Sequence, residues 1–201
     1  MIWLQELLAS FWFPYIIALL AALLIQLVYY WLIFSRLAFY NGKKRAVAEQ
    51  KEAVSVVICA KNEYHNLVKY LPLILEQDYP EYEVVVVNDA SDDDTFYLLR
   101  ELADKYSHLK LVNITHNLNF FSGKKFPLSI GIKSARYDLV LLTDADCYPT
   151  GPKWIESMQA AFTGKTEIVL GYGAYFPQPG LLNRIIRYDT VSVAMQYLSL
   201  A

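Results

Sequence analysis

The sequence predicts an α/β fold: a mainly parallel sheet with helices on both faces, preceded by one transmembrane helix. Three observations carry this. An uncharged, apolar stretch runs from Leu7 to Ser35. Beyond it, short runs rich in β-branched residues alternate with segments of helical spacing, the pattern of β-α-β units. Several of those runs stop abruptly in polar or acidic clusters, which gathers the clusters at the carboxyl edge of one sheet, where α/β proteins bind ligands.

The apolar stretch comes first. Its only polar side chains, aromatic residues apart, are Ser10, Gln26 and Ser35, and about twenty apolar residues suffice to cross a bilayer as a helix. Trp3, Trp12 and Tyr15 near one end, with Tyr29, Tyr30 and Trp31 near the other, have the placement of interfacial aromatic belts. A cleaved signal peptide fits poorly, since no basic residue precedes the run and no small-residue cleavage site follows. Glu6 is the only charge before it, whereas Arg36, Lys43, Lys44, Arg45 and Lys51 follow. The positive-inside rule then puts the rest of the chain in the cytoplasm, at the cell membrane on a single span. The basic cluster is expected against anionic membrane lipids. The chain thus divides into an anchor (1–40), a basic linker (41–52) and an α/β domain (53–201).

Charge and composition narrow the function. A formal net charge of −2, with no basic stripe outside the juxtamembrane cluster, argues against nucleic acid as a partner. Cys59 and Cys147 lack metal-ligand spacing and form no disulfide framework, and His65, His108 and His116 are scattered, so a zinc site is not supported.

Val54 to Cys59 reads as the first strand, followed by Lys61-Asn62-Glu63 and a helix capped at Asn66, with Pro72 kinking or shortening it. Glu83 to Val87, with four consecutive valines, is the second strand and ends at Asn88-Asp89. Ser91 or a following aspartate caps the next helix. Leu109 to Asn113 is a third strand, and Phe126 to Ala135 a helix. Leu139 to Thr143, unbroken in aliphatic character up to Thr143, is expected as a strand buried on both faces at the centre of the sheet. Pro152 opens a helix to about Phe162, Ile168 to Leu170 is a fifth strand, and Leu181 to Leu200 is a helix, expected to pack on the sheet.

The chemistry sits at the strand ends. Ala60-Lys61-Asn62-Glu63, Asn88-Asp89 with the acids after it, and Asp144-Ala145-Asp146 together suit a nucleotide-and-cation site: carboxylates hold a hard cation against phosphates while neighbouring loops hold the nucleoside. Ser122-Gly123-Lys124-Lys125 adds a basic segment before a helix N-terminus, a place for phosphate. No G-x-x-x-x-G-K-[ST] and no G-x-G-x-x-G is present, which removes the P-loop and the dinucleotide fingerprint.

These motifs, in this order, resemble the family 2 glycosyltransferases: Val56 to Glu63, Val87 to Thr95, Gly123 to Ser129 and Thr143 to Asp146. The resemblance implies a GT-A fold and transfer of sugar, with inversion, from a nucleotide-diphosphate sugar, a UDP-sugar first, to a glycan or lipid-linked acceptor. It implies that Ala60 and Glu63 line the base pocket and that Asp89 holds the nucleoside with Asp93 supporting its loop. Lys124 would lie near the diphosphate, Asp144 near ribose and phosphates, and Asp146 on Mg²⁺ or Mn²⁺. Cys59 and Lys61 stand where the family often has Pro and Tyr, and Pro127 and Ser129 replace Ala and Asn in the lysine motif. The family's general base is expected beyond Ala201, which would leave these residues inactive alone. A non-catalytic sugar-nucleotide module or a tethered interaction domain would carry the same donor motifs.

Overall fold

The computed structural model describes residues 11–39, 51–115, 123–163 and 166–200. Trp3, Lys43, Lys44, Arg45, His116 and Ser122, singled out above, lie outside the described residues. The chain forms two compact units, Arg45–Gly171 and Met1–Lys44 with Tyr172–Ala201.

The first unit is the α/β part. Its elements are β1 (Val54–Ala60), α1 (Tyr64–Leu75), β2 (Tyr82–Asp89), α2 (Thr95–Lys105), β3 (Leu109–Ile114), α3 (Lys125–Ser134), β4 (Leu139–Asp144) and α4 (Trp154–Gln159). All pairings are parallel, in the order β3-β2-β1-β4. The chain therefore moves outward through β1, β2 and β3, then returns to the far side of β1 as β4. A reversal of this kind puts the last crossover helix on the opposite face and opens a crevice between β1 and β4 at their carboxyl ends.

Packing follows that plan. Val54, Val56, Ile58, Ala60, Val84 and Val86 form one core with Leu67, Leu71, Ile74 and Leu75 of α1, Leu99 of α2 and Ile155 of α4. Burying side chains of this size stabilises by about 1.5–3 kcal/mol each. Val57 and Val87 face the other way and meet α3 at Gly131, where an added Cβ would lie 2.5 Å from Val57 Cγ1 and 3.0 Å from Val87 Cγ2. Glycine is what lets α3 approach the sheet. Gly131→Val is expected to cost about 1–3 kcal/mol of stability by overpacking, read as a lowered thermal midpoint.

Several expectations change. Among the described residues β4 is not a central strand: it pairs with β1 alone, and Leu142 is 48% exposed. The buried centre is β1 and β2, with Val84 to Val87 fully buried. Ile168 to Leu170 forms no strand: Ile168 and Leu170 stay exposed, and none of the described strands pairs with the segment. The first helix begins at Tyr64 rather than Asn66, whose side chain donates to Glu63 Oε2 at 2.7 Å instead of capping. Pro72 sits within the last turn of α1, where its carbonyl still accepts from Glu76 N–H at 3.0 Å.

The second unit holds α5 (Phe13–Ala38) and α6 (Leu181–Leu200). α5 has 26 residues, about 39 Å at 1.5 Å per residue, against roughly 30 Å of bilayer hydrocarbon. It is long and apolar enough to cross a membrane, with mean hydropathy 2.4 and no buried residue. α6 packs on α5, where the sequence favoured the sheet; Arg36 Nη1 donates to Ser199 O at 3.4 Å.

Candidate functional site

Register brings the strand ends together. Cys59 of β1 lies opposite Asp144 of β4 on one side, and Ala60 lies opposite Asn88 of β2 on the other. Asp89 and Asp144 therefore flank the end of β1, about two strand spacings (roughly 10 Å) apart along the sheet. Beyond β4 the chain turns at once, with Cys147 N–H donating to Asp144 O at 3.1 Å. Ala145 is buried in that turn, which leaves Asp144 and Asp146 exposed on either side of it. Gly123, at φ +105°, turns the chain into α3 and sets Lys124 at its start. Lys124 Nζ lies 3.0 Å from Asp144 Oδ1.

One cleft of about 370 Å³ is lined by Ala60, Glu63, Asp89, Lys124, Asp144 and Asp146, with Cys59, Lys61, Gly123, Pro127 and Ala145. Six of the seven residues singled out for donor and cation thus share one cavity. The seventh, Asp93, is not in its wall. A second recess of about 390 Å³ shares Cys59, Lys124 and Asp144 and adds Leu128, Leu142, Thr143 and Cys147.

The cleft holds four carboxylates against two lysines. The hydrogen bond to Asp144 raises the Lys124 pKa, helped against burial by the charges of Asp144 and Asp146. Burial pushes the Cys59 thiol up to about 11, with Lys124 pulling the other way, and burial likewise raises Cys147 beside Asp146. Both thiols are therefore neutral at pH 7. Among the described residues no three His, Cys, Asp or Glu side chains are grouped closely enough to hold a metal by themselves.

Asp93 acts behind the cleft. Its Oδ1 accepts from Thr95 N–H at 3.0 Å and its Oδ2 from Tyr64 N–H at 3.2 Å, so one carboxylate serves the first N–H of both α1 and α2. Burial alone would raise its pKa, but the bonds from Thr95 and Tyr64 outweigh it and hold it low. A lowered carboxyl adds stability above its unfolded pKa and loses it as pH falls through the folded value. Asp93→Ala is expected to cost about 1 kcal/mol at neutral pH. In thermal melts the gap to wild type should close below about pH 4.

Residues 55–195 match the model of glycosyl transferase family 2. The chain belongs to that family. As a family 2 glycosyltransferase it is 30% identical over 125 residues to a poly-β-1,6-N-acetyl-D-glucosamine synthase of Staphylococcus epidermidis, covering 58% of this chain and 29% of that one. It is 38% identical over 101 residues to a dolichyl-phosphate β-glucosyltransferase of Trichomonas vaginalis, covering 46% of this chain and 30% of that one. Among solved structures it is similar to the mannosyltransferase PcManGT from Pyrobaculum calidifontis in complex with GDP-Man and Mn²⁺, at TM-score 0.60 and 30% identity, covering 72% of this chain and 42% of that one. The sheet has the GT-A arrangement that the motifs implied. The chain spans under half the length of each of these proteins.

Four residues in or beside this cleft were assigned no role of their own from the sequence: Cys59, Lys61, Asn62 and Ala90. Cys59 and Lys61 line the cleft, as residues flanking a strand end must when that end forms the floor. Asn62 and Ala90, at φ 57° and 47°, hold the left-handed conformation at the ends of β1 and β2. For an alanine that conformation costs about 1–2 kcal/mol, and Asn is one of the few residues that adopts it readily. The Lys61-Asn62 turn offered that second signal, and Ala90 offered none.

Proposed function

We propose that this chain is the anchor and donor-binding part of a membrane-anchored transferase. It takes a nucleotide-diphosphate sugar with Mg²⁺ or Mn²⁺ and passes the sugar, with inversion, to a glycan or lipid-linked acceptor. The observation that carries this reading is the convergence of Asp89, Asp144, Asp146 and Lys124 at the β1/β4 crevice.

The donor set fits a hard divalent cation. Asp144 and Asp146 offer carboxylate oxygens at the mouth of a cleft with an excess of negative charge. Mg²⁺ is characteristically bound by one or two carboxylates plus substrate phosphates, so a protein group of three ligands is not required. When bound, the cation supplies Lewis-acid stabilisation of the leaving diphosphate. The chain's own residues do the rest: Ala60 and Glu63 bound the base, Asp89 holds the nucleoside, Lys124 neutralises phosphate, and Asp93 fixes the loop carrying Asp89. UDP is the nucleotide the motifs imply, and the mannosyltransferase relative binds GDP-Man with Mn²⁺. α5, with Arg36 in its last turn and Lys51 among the basic residues after it, would anchor this part on the cytoplasmic side of the cell membrane.

Calorimetry of the full chain in detergent with UDP and GDP, with and without Mn²⁺, tests the reading. Tighter binding of one nucleotide in the presence of metal is expected. Failure to bind either, or binding indifferent to metal, overturns it.

A further inference from the structure

The two loops that carry Glu63 and Asp89 are joined by a reciprocal pair of hydrogen bonds through one residue. Asn62 N–H donates to Ser91 Oγ at 2.9 Å, and Asn62 Oδ1 accepts from Asp92 N–H at 2.8 Å. The next two backbone donors continue the seam, Glu63 N–H to Thr95 Oγ1 at 3.1 Å and Tyr64 N–H to Asp93 Oδ2 at 3.2 Å. Thr95 is fully buried, so this end of the seam is fixed in the core. The outer end depends on Asn62, which is exposed and is not part of the cleft wall.

Its backbone explains why the residue is asparagine. At φ 57° Asn62 turns the chain so that its N–H and its side-chain oxygen both face the β2 loop. Across the seam Ala90 is also left-handed, its N–H donating to Ile114 O at 3.0 Å. Left-handed backbone flanks the seam on both sides, and at Ala90, where it is strained, it persists only where surrounding bonds over-determine it. Glu63 directly follows Asn62, and Asp89 lies two residues before Ser91, so the seam fixes the spacing of the two carboxylates on that side of the cleft.

We propose that Asn62 is a positioning residue for the nucleoside end of the cleft: its left-handed turn and two-way hydrogen bond set the Glu63-to-Asp89 separation, and with it the slot that takes the base. This rests on the donor-binding reading above. A positioning role predicts a loss that depends on the nucleoside and spares the diphosphate, whereas a general structural role weakens both.

The test is calorimetry of the full chain with Mn²⁺, titrating UDP and inorganic pyrophosphate in parallel. Asn62→Gly keeps the turn and loses the side-chain bond; Ser91→Ala removes the partner and leaves residue 62 untouched. Each is expected to weaken UDP about tenfold, the order of one to two neutral hydrogen bonds, with pyrophosphate unchanged. Asn62→Asp, which retains an acceptor and tolerates the turn, should restore UDP binding to within about twofold. Equal losses for both ligands, or no loss for UDP in either Asn62→Gly or Ser91→Ala, overturn the inference. A wild-type chain that binds no UDP overturns the donor-binding reading along with it; one that binds UDP while both variants match it overturns this inference alone.

Discussion

Asp146→Ala is expected to abolish the metal-dependent part of nucleotide binding while leaving the fold intact. The turn that carries Asp146 is made by other groups: Cys147 N–H donates to Asp144 O at 3.1 Å, and Ala145 is buried in the core. The Asp146 side chain is exposed, and its recorded hydrogen bond is a long one from the Cys147 thiol at 3.6 Å. Truncation therefore leaves no buried group without a partner, and stability should change by less than about 0.5 kcal/mol, as for ordinary surface substitutions.

Binding is different. A diphosphate entering beside four carboxylates and two lysines meets net repulsion unless a cation comes with it. Losing even an outer partner of a metal ligand costs about 10–100-fold in affinity or activity, so losing a direct ligand should cost at least the upper figure. The measurement is calorimetry of UDP with and without Mn²⁺. Wild type should show a large difference and Asp146→Ala almost none. A variant that keeps the wild-type response to Mn²⁺ would remove Asp146 from the cation site.

How far the sequence alone reached depended on which contacts were local. Asp144 and Asp146 were readable because an aliphatic run ends on them without transition, and Val84 to Val87 because β-branched runs have few other uses. The edge position of β4 was not readable, since a run of four aliphatic residues shows that a strand forms but not how many neighbours it has. Leu142, half exposed, looks the same in sequence as a buried leucine. For α6 the periodicity of Leu182, Ile185 and Ile186 reported an apolar face but could not say what would cover it. The Asn62 seam failed for a third reason. Each loop reads as a polar turn, and the bonds that matter join residues 29 and 30 apart in the chain. The strand order, which locates the crevice between β1 and β4, likewise follows from the chain's return across the sheet rather than from any local pattern.

Lys124→Ala is expected to weaken UDP by roughly 10- to 100-fold, the worth of a hydrogen bond to a charged group. The competing view is that Lys124 merely balances Asp144, since the two lie 3.0 Å apart. Their side chains are 72% and 56% exposed, however, and exposed pairs contribute about 0–1 kcal/mol. The thermal midpoint should therefore hardly move, while binding falls. Asp144 raises the Lys124 pKa, so its ammonium is fully present below the ordinary lysine range and is lost only as pH rises through the folded value. Between pH 6 and 9, expressed as about four units below to one below the lysine reference, binding should not titrate through Lys124. Uridine supplies the control: it lacks the diphosphate, and its affinity should be the same for wild type and Lys124→Ala. If uridine weakens as much as UDP, Lys124 acts on the shape of the cleft through Asp144 and not on phosphate. A double variant with Asp144→Asn separates the two further, because a pure ion-pair role makes the double loss equal to either single loss, whereas separate contacts to the donor make the losses add.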